Sequence, residues 1–143
     1  MSAKENEEVV RRFYNISKTG DFSILDELYA PDYVRNDLRE GQVSGPQGQK
    51  LILGAFRAAF PDAKTTIHQL IATDEFVVGR WTIEGTNTGP WGNFEPTGKT
   101  MVYKGVNIFR FENGKIAELW NFRDDLGLYQ QIGLPIHGGV PDK

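Results

Sequence analysis

The chain has 143 residues, enough for one domain with a single sizeable core. Apolar residues make up 39% and charged residues 24%, an ordinary globular balance, and a net charge of −3 gives no electrostatic attraction for nucleic acid or an anionic membrane surface. With no cysteine there is no disulfide and no thiolate metal site, so the reducing cytoplasm is the expected compartment.

The opening stretch, Met1 to Glu8, is polar and acidic, unlike a secretory leader. No apolar run approaches the length of about 20 residues that spans a bilayer. No internal repeat, low-complexity tract or Gly/Ser linker divides residues 1–143, so one domain is expected. From Glu5 to Lys18, Val9, Phe13 and Ile16 fall on one face with Val10 and Tyr14 beside them, which predicts an amphipathic helix stopped by Gly20. Asp21 is placed to cap a second helical segment, where Phe22, Leu25, Leu28 and Tyr29 repeat at helical intervals before Pro31. Ile52, Ala55, Phe56, Ala59 and Phe60 predict a third helix closed by Pro61. Each of these helices has one apolar face and needs a surface to cover.

The second half of the chain supplies it. Thr65 to Thr73, Glu75 to Thr88, Thr100 to Glu112 and Lys115 to Arg123 are rich in β-branched and aromatic residues and bounded by turn signals. Asn113-Gly114 predicts a two-residue hairpin turn, since both residues tolerate positive φ, and Asp74-Glu75 predicts another tight connection. A last helix is expected over Asp125 to Ile132, ended by Gly133 with Pro135 beyond it. Helices first and strands after give an α+β fold, a curved antiparallel sheet wrapped around its helices. Gly79, Gly85 and Gly105 inside strand patterns are read as bends or bulges that curl the sheet.

In the third strand Tyr103, Asn107 and Phe109 share one face, while Val102, Val106 and Ile108 share the other. Neither face is cleanly polar. The concave side is expected to form a pocket of mixed aromatic and amide groups, and the outer side to meet a second copy in a homodimer. Tyr14, Tyr103, Trp81, Trp91 and Trp120 are the aromatic candidates for the pocket wall; packing alone also explains Trp81 and Trp120, whereas Trp91 lies in the Gly- and Pro-rich connection from Gly85 to Lys99 and suits a lid or an interface. Asn107 and Asn121 either line the pocket or satisfy a bulge or a dimer contact. His68 is a candidate base near neutral pH, or a satisfied surface residue. Asp124 and Asp125, just before the last helix, are candidate acid/base carboxylates or helix caps. The two histidines lie too far apart to make a case for metal.

The strings "RRFYNISKTGDFSILDELYAPDYV", "RAAFPDAKTTIHQLIATDEFVVGRWTIEGTNTG", "PTGKTMVYKGVNIFRFENGKIAELWNFRD" and "LGLYQQIG" resemble, in order and spacing, the SnoaL-like polyketide cyclases of the nuclear transport factor 2-like superfamily. That resemblance implies a cone-shaped α+β fold with a deep pocket, commonly dimeric. It also implies aldol ring closure of a polyketide ester with neither metal nor cofactor. The resembling enzymes carry an acid/base Asp on the final strand, a His on the preceding strand and an Asn after the second helix; these positions fall at Asn121, Asn107 and Asn36. An amide accepts no proton at neutral pH, so Asn121 departs from the pattern, and Asp124 or Asp125 is the carboxylate available to replace it. The expectation is therefore cofactor-free acid/base chemistry on a small hydrophobic carbonyl compound. Two other readings stand beside it: a non-catalytic binding protein of the same fold, and a structural dimerisation module.

Overall fold

Ser2 and Glu5 begin the first helix with a reciprocal capping box: Ser2 Oγ accepts from Glu5 N–H at 3.1 Å, and Glu5 Oε1 accepts from Ser2 N–H at 3.1 Å. The computed structural model describes residues 2–38, 42–137 and 140–141. Helix α1 (Ala3–Tyr14) buries Asn6, Val10 and Tyr14, and a short α2 (Ile16–Thr19) ends at Gly20 with φ 71°. Asp21 caps a 3-10 turn, Phe22–Ile24, that runs into α3 (Leu25–Leu28). Helix α4 (Gly45–Ala59) starts with proline in its first turn and carries Phe56 and Arg57 near its end.

Five strands make one unclosed, curved sheet in the order β1-β5-β4-β3-β2. They are β1 (Tyr29–Arg35), β2 (Lys64–Ala72), β3 (Phe76–Thr86), β4 (Thr100–Glu112) and β5 (Lys115–Arg123). The β4–β5 turn is the Asn113-Gly114 hairpin, with φ of 50° and 75°. Helix α5 (Asp125–Ile132) follows β5 and ends at Gly133 in the left-handed region. A two-residue pair, β6 (Ile136–His137) with β7 (Val140–Pro141), closes the chain's described part. No helix among the described residues is long and apolar enough to cross a membrane.

Three details depart from the sequence reading. Pro31 does not merely end a helix: the chain is already extended at Tyr29, and β1 joins the sheet edge parallel to β5, the one parallel pair in an otherwise antiparallel sheet. An edge strand tolerates proline because its N–H side needs no partner. The predicted third helix begins earlier, at Gly45. Gly79, Gly85 and Gly105 are not bulges, since β3 and β4 pair without interruption from Phe76↔Arg110 to Thr86↔Thr100. Two of them instead make room for rings. A Cβ on Gly79 would lie 2.2 Å from the Tyr14 hydroxyl, and one on Gly105 would lie 2.3 Å from the Trp81 indole.

The inner face of the sheet carries Val77, Trp81, Met101, Tyr103, Phe109 and Leu119, all buried and packed with Val10, Tyr14, Leu25 and Leu28 from the helices. Helix α5 covers the stretch of β4 that extends beyond the end of β5. There Gln131 acts as a substitute strand: its Oε1 accepts from Val102 N–H at 2.7 Å and its Nε2 donates to Val102 O at 2.9 Å.

Candidate active site

A cavity of about 670 Å³ lies between the inner face of the sheet and helices α1, α2 and α4. Its floor is set by strand parity. Asn107 pairs with Gly79 on one side and Asn121 on the other, and counting by two along β5 puts Leu119, Asn121 and Arg123 on the same inward face. Tyr14, Trp81, Trp91, Tyr103, Asn107 and Asn121 all line the cavity.

Their hydrogen bonds form a directed chain. The Trp81 indole N–H can only donate, so the atom it meets at 2.7 Å is the Asn107 carbonyl oxygen, Oδ1. The Tyr14 hydroxyl donates to that same oxygen at 2.8 Å. Burial pushes the Tyr14 hydroxyl's pKa well up, so it remains protonated and a donor. With Oδ1 doubly occupied, Asn107 turns its Nδ2 to Asn121 Oδ1 at 2.6 Å. Asn121 is thereby oriented with its own amide N–H groups left for the cavity it lines. The position matched to a family base thus presents a donor.

A second chain, of charges, runs beside the first. Arg35, 6% exposed, comes from β1 next to Leu119. Its Nε and Nη2 donate to the two oxygens of Asp37 at 2.7 and 3.1 Å, and its Nη1 donates to Gln49 Oε1 at 3.0 Å. Tyr33 donates to the same Gln49 oxygen at 3.2 Å. Arg123 shares Asp37, at 3.1 Å, and its Nε lies 3.7 Å from Asp125 Oδ1. Asp125 also accepts a short hydrogen bond from the Tyr103 hydroxyl. Two guanidiniums and two carboxylates therefore alternate from Gln49 to Tyr103, and Arg35, Gln49, Arg123 and Tyr103 all touch the cavity. Aromatic rings close the opposite wall: Phe56 stacks on Tyr103 at 5.8 Å and meets Trp91 edge-on at 5.9 Å. Trp91 is held by paired backbone bonds with Phe94, each 3.0 Å.

The two aspartates separate in role. Asp124 caps α5 by accepting from Gly127 N–H at 2.9 Å and faces solvent. Asp125 reaches the cavity wall through Tyr103. Three other expected residues lie elsewhere. His68 sits where the register between β2 and β3 shifts, is exposed, and meets Thr82 Oγ1 at 3.0 Å on the outer face. Trp120 pairs with Ile108 on that outer face; as the neighbour of Asn121 in a regular strand it points the other way. Asn36 binds Glu118 Oε2 at 2.9 Å and the Leu119 carbonyl oxygen, behind the cavity wall. Conversely, Arg35, Asp37, Gln49 and Arg123 were not anticipated. The parity that fixes Leu119 and Asn121 inward fixes Arg123 too, so that residue was readable; Arg35 required knowing that β1 exists.

A protein-family model described as SnoaL-like polyketide cyclase matches residues 7–132. No curated protein matches the chain. Among solved structures, TsrD from Streptomyces laurentii has a similar fold, with a TM-score of 0.84 at 23% identity over 93% of this chain and 98% of that one. A candidate polyketide cyclase from Acidithiobacillus ferrooxidans gives a TM-score of 0.78 at 29% identity, covering 93% of this chain and 98% of its own. Another, from Bacillus cereus, gives 0.79 at 26% identity over 92% and 82% of the two chains.

Proposed function

The chain belongs to the SnoaL-like polyketide cyclase family, and from that premise we propose that it performs cofactor-free acid/base chemistry on a small apolar carbonyl compound, by aldol ring closure or a related isomerisation. The observation that carries this reading is the Tyr103–Asp125 pair at the cavity wall, with Arg123 alongside. A proton flanked by two carbonyls is acidic enough for a positioned carboxylate to remove. In the proposed step the substrate C–H proton passes to the Tyr103 oxygen as the Tyr103 proton passes to Asp125. The electron pair of the broken bond moves onto the carbonyl oxygen as an enolate. Asn121 N–H and the Arg123 guanidinium are donors for that oxygen, and they act in a cavity with apolar walls where such bonds strengthen. The enolate carbon then bonds to a second carbonyl carbon, and the proton held by the pair returns to the new alkoxide. No redox partner is required. We also propose that two copies associate through the outer face of the sheet.

The deciding experiment follows deuterium exchange at the acidic carbon of ethyl benzoylacetate in the presence of the protein. Wild type should accelerate exchange, and D125N and Y103F should each lose about a hundredfold or more of that acceleration while unfolding at nearly the wild-type temperature. Undiminished exchange in D125N would remove Asp125 as the base. One observation favours a second reading, a non-catalytic binding protein: among the described residues, no carboxylate or histidine lines the cavity itself. Tight probe binding by wild type with no acceleration of exchange would select that reading.

A further inference from the structure

A second cavity, about 790 Å³, opens between α1, α2 and the start of β2. In a chain of net charge −3 it gathers five cations, Arg11, Arg12, Lys18, Arg57 and Lys64, against one carboxylate, Asp62. Asp62 accepts from Thr86 N–H and Thr86 Oγ1 at 2.8 Å each, one bond to each of its oxygens. Those bonds hold the Asp62 pKa below the usual carboxylate range, so it stays anionic and offsets one of the five cations. Arg11 and Arg12 are paired with Glu7 at 3.1 Å and Glu27 at 2.9 Å. Lys18, Arg57 and Lys64 have no carboxylate partner among the described residues.

Arg57 lines both cavities. Its Nη1 donates to the Ser17 carbonyl oxygen at 3.0 Å, and its guanidinium occupies the space that a side chain on Gly20 would fill, with Nη2 only 2.8 Å from an added Cβ. The head group is thus held at the end of α2 with donors to spare, on the boundary between an apolar chamber and a cationic one. An uncommitted guanidinium so fixed is a fork for oxyanions, which it binds through two parallel N–H bonds.

We propose that the cationic cleft binds the oxyanion end, phosphate or carboxylate, of a substrate whose apolar carbonyl-bearing part occupies the main cavity. This rests on the reading of the main cavity as a substrate site. The division of labour follows from charge: the guanidiniums of Arg35 and Arg123 in the main cavity are matched by Asp37 and Asp125, whereas Arg57, Lys18 and Lys64 of the cleft have no such match among the described residues. The substrate class is an elongated amphipathic carbonyl compound that ends in a phosphate ester or an acid.

Calorimetric titration of the whole protein with octyl phosphate, octanoate and octanol tests this at low ionic strength. At least one anion should bind about tenfold or more tightly than octanol, and the stronger of the two identifies the terminal group. High salt should shrink that advantage, because the lysines are exposed and screened. R57Q should bring the ratio of anion to octanol affinity toward one. So should K18A/K64A, which alters only exposed positions and guards against a folding defect in R57Q. Equal affinity of wild type for all three probes, or a ratio unchanged in both variants, would overturn the proposal. The octyl probes have no acidic C–H, so an anion preference that survives a failed exchange experiment removes the acid/base reading and leaves this one standing.

Discussion

Asn107 is the residue on which the cavity floor turns. Its carbonyl oxygen takes two donors, Tyr14 O–H and Trp81 N–H, and its amide nitrogen orients Asn121. Both donors are buried with Asn107, which is 5% exposed, so an apolar replacement removes the acceptor they share. N107L should therefore lose about 3 kcal/mol of stability, more than a typical single hydrogen bond contributes, because two buried donors lose their partner together. Denaturant unfolding measures this, and a loss below about 1 kcal/mol would mean that the two donors find other partners. The same logic explains the glycines across the ladder. Gly79 and Gly105 carry no side chain because the Tyr14 hydroxyl and the Trp81 ring occupy that space on their way to Asn107. Sequence alone offered these glycines as punctuation; their service to an amide on the neighbouring strand needs the pairing register to be known.

At the scale of elements, α1 is tied to the sheet by a polar contact rather than by apolar packing alone. Asn6, fully buried, donates through Nδ2 to the carbonyl oxygens of Thr73 at 3.2 Å and Asp74 at 3.1 Å, in the turn between β2 and β3. N6A removes those donors and should cost about 1–2 kcal/mol. N6D should cost more, since it sets a second acceptor oxygen against two carbonyls at a fully buried position. If thermal unfolding finds the Asp variant as stable as the Asn protein, the contact is not holding the helix. Elements whose causes are local were legible in sequence: the Asn113-Gly114 turn, the flanking strands and α5 with its Gly133 stop lie where their turn and capping residues place them. The Ser2–Glu5 capping box was equally readable and went unread. β1 was not legible, because Pro31 reads as a terminator and the partner that makes the strand lies at Ile116 to Leu119, far along the chain. The start of α4 was hidden for another reason: Gly45 to Lys50 has no apolar periodicity, and its helix is set by Pro46 and by the apolar turns from Leu51 onward. For the site, alternation gave Tyr103 and Asn107 and the family resemblance gave Asn121, but a register shift at His68 and the one-residue step to Trp120 sent those two outward.

For the molecule as a whole, the outer face of the sheet poses the remaining physical problem. Pairing across four strands aligns Ile71, Val78, Ile108 and Trp120 in one row, with Val106 and Phe122 paired in the next. Ile71 is 62% exposed and Phe122 63%, and Val102 on the same side of β4 is 40% exposed. The helices pack on the inner face, so nothing within the described chain covers this one. Scattered apolar residues on a surface need no explanation, but aligned rows on a sheet face favour burial against a partner. A second copy is the simplest partner, since a two-fold axis through the sheet sets each row against its own equivalent. Multi-angle light scattering at micromolar concentration should then report twice the chain mass of 16.1 kDa. F122E places a charge in the middle of that contact and should shift the protein to the single-chain mass while leaving the inner cavity unaltered. Phe122 is 63% exposed on that outer face, so a carboxylate there stays solvated in the single chain. The folded monomer is therefore expected to survive the substitution, and the mass reports association rather than unfolding. A wild-type mass of 16.1 kDa across the same concentration range would rule out the pairing and leave the apolar rows to another partner.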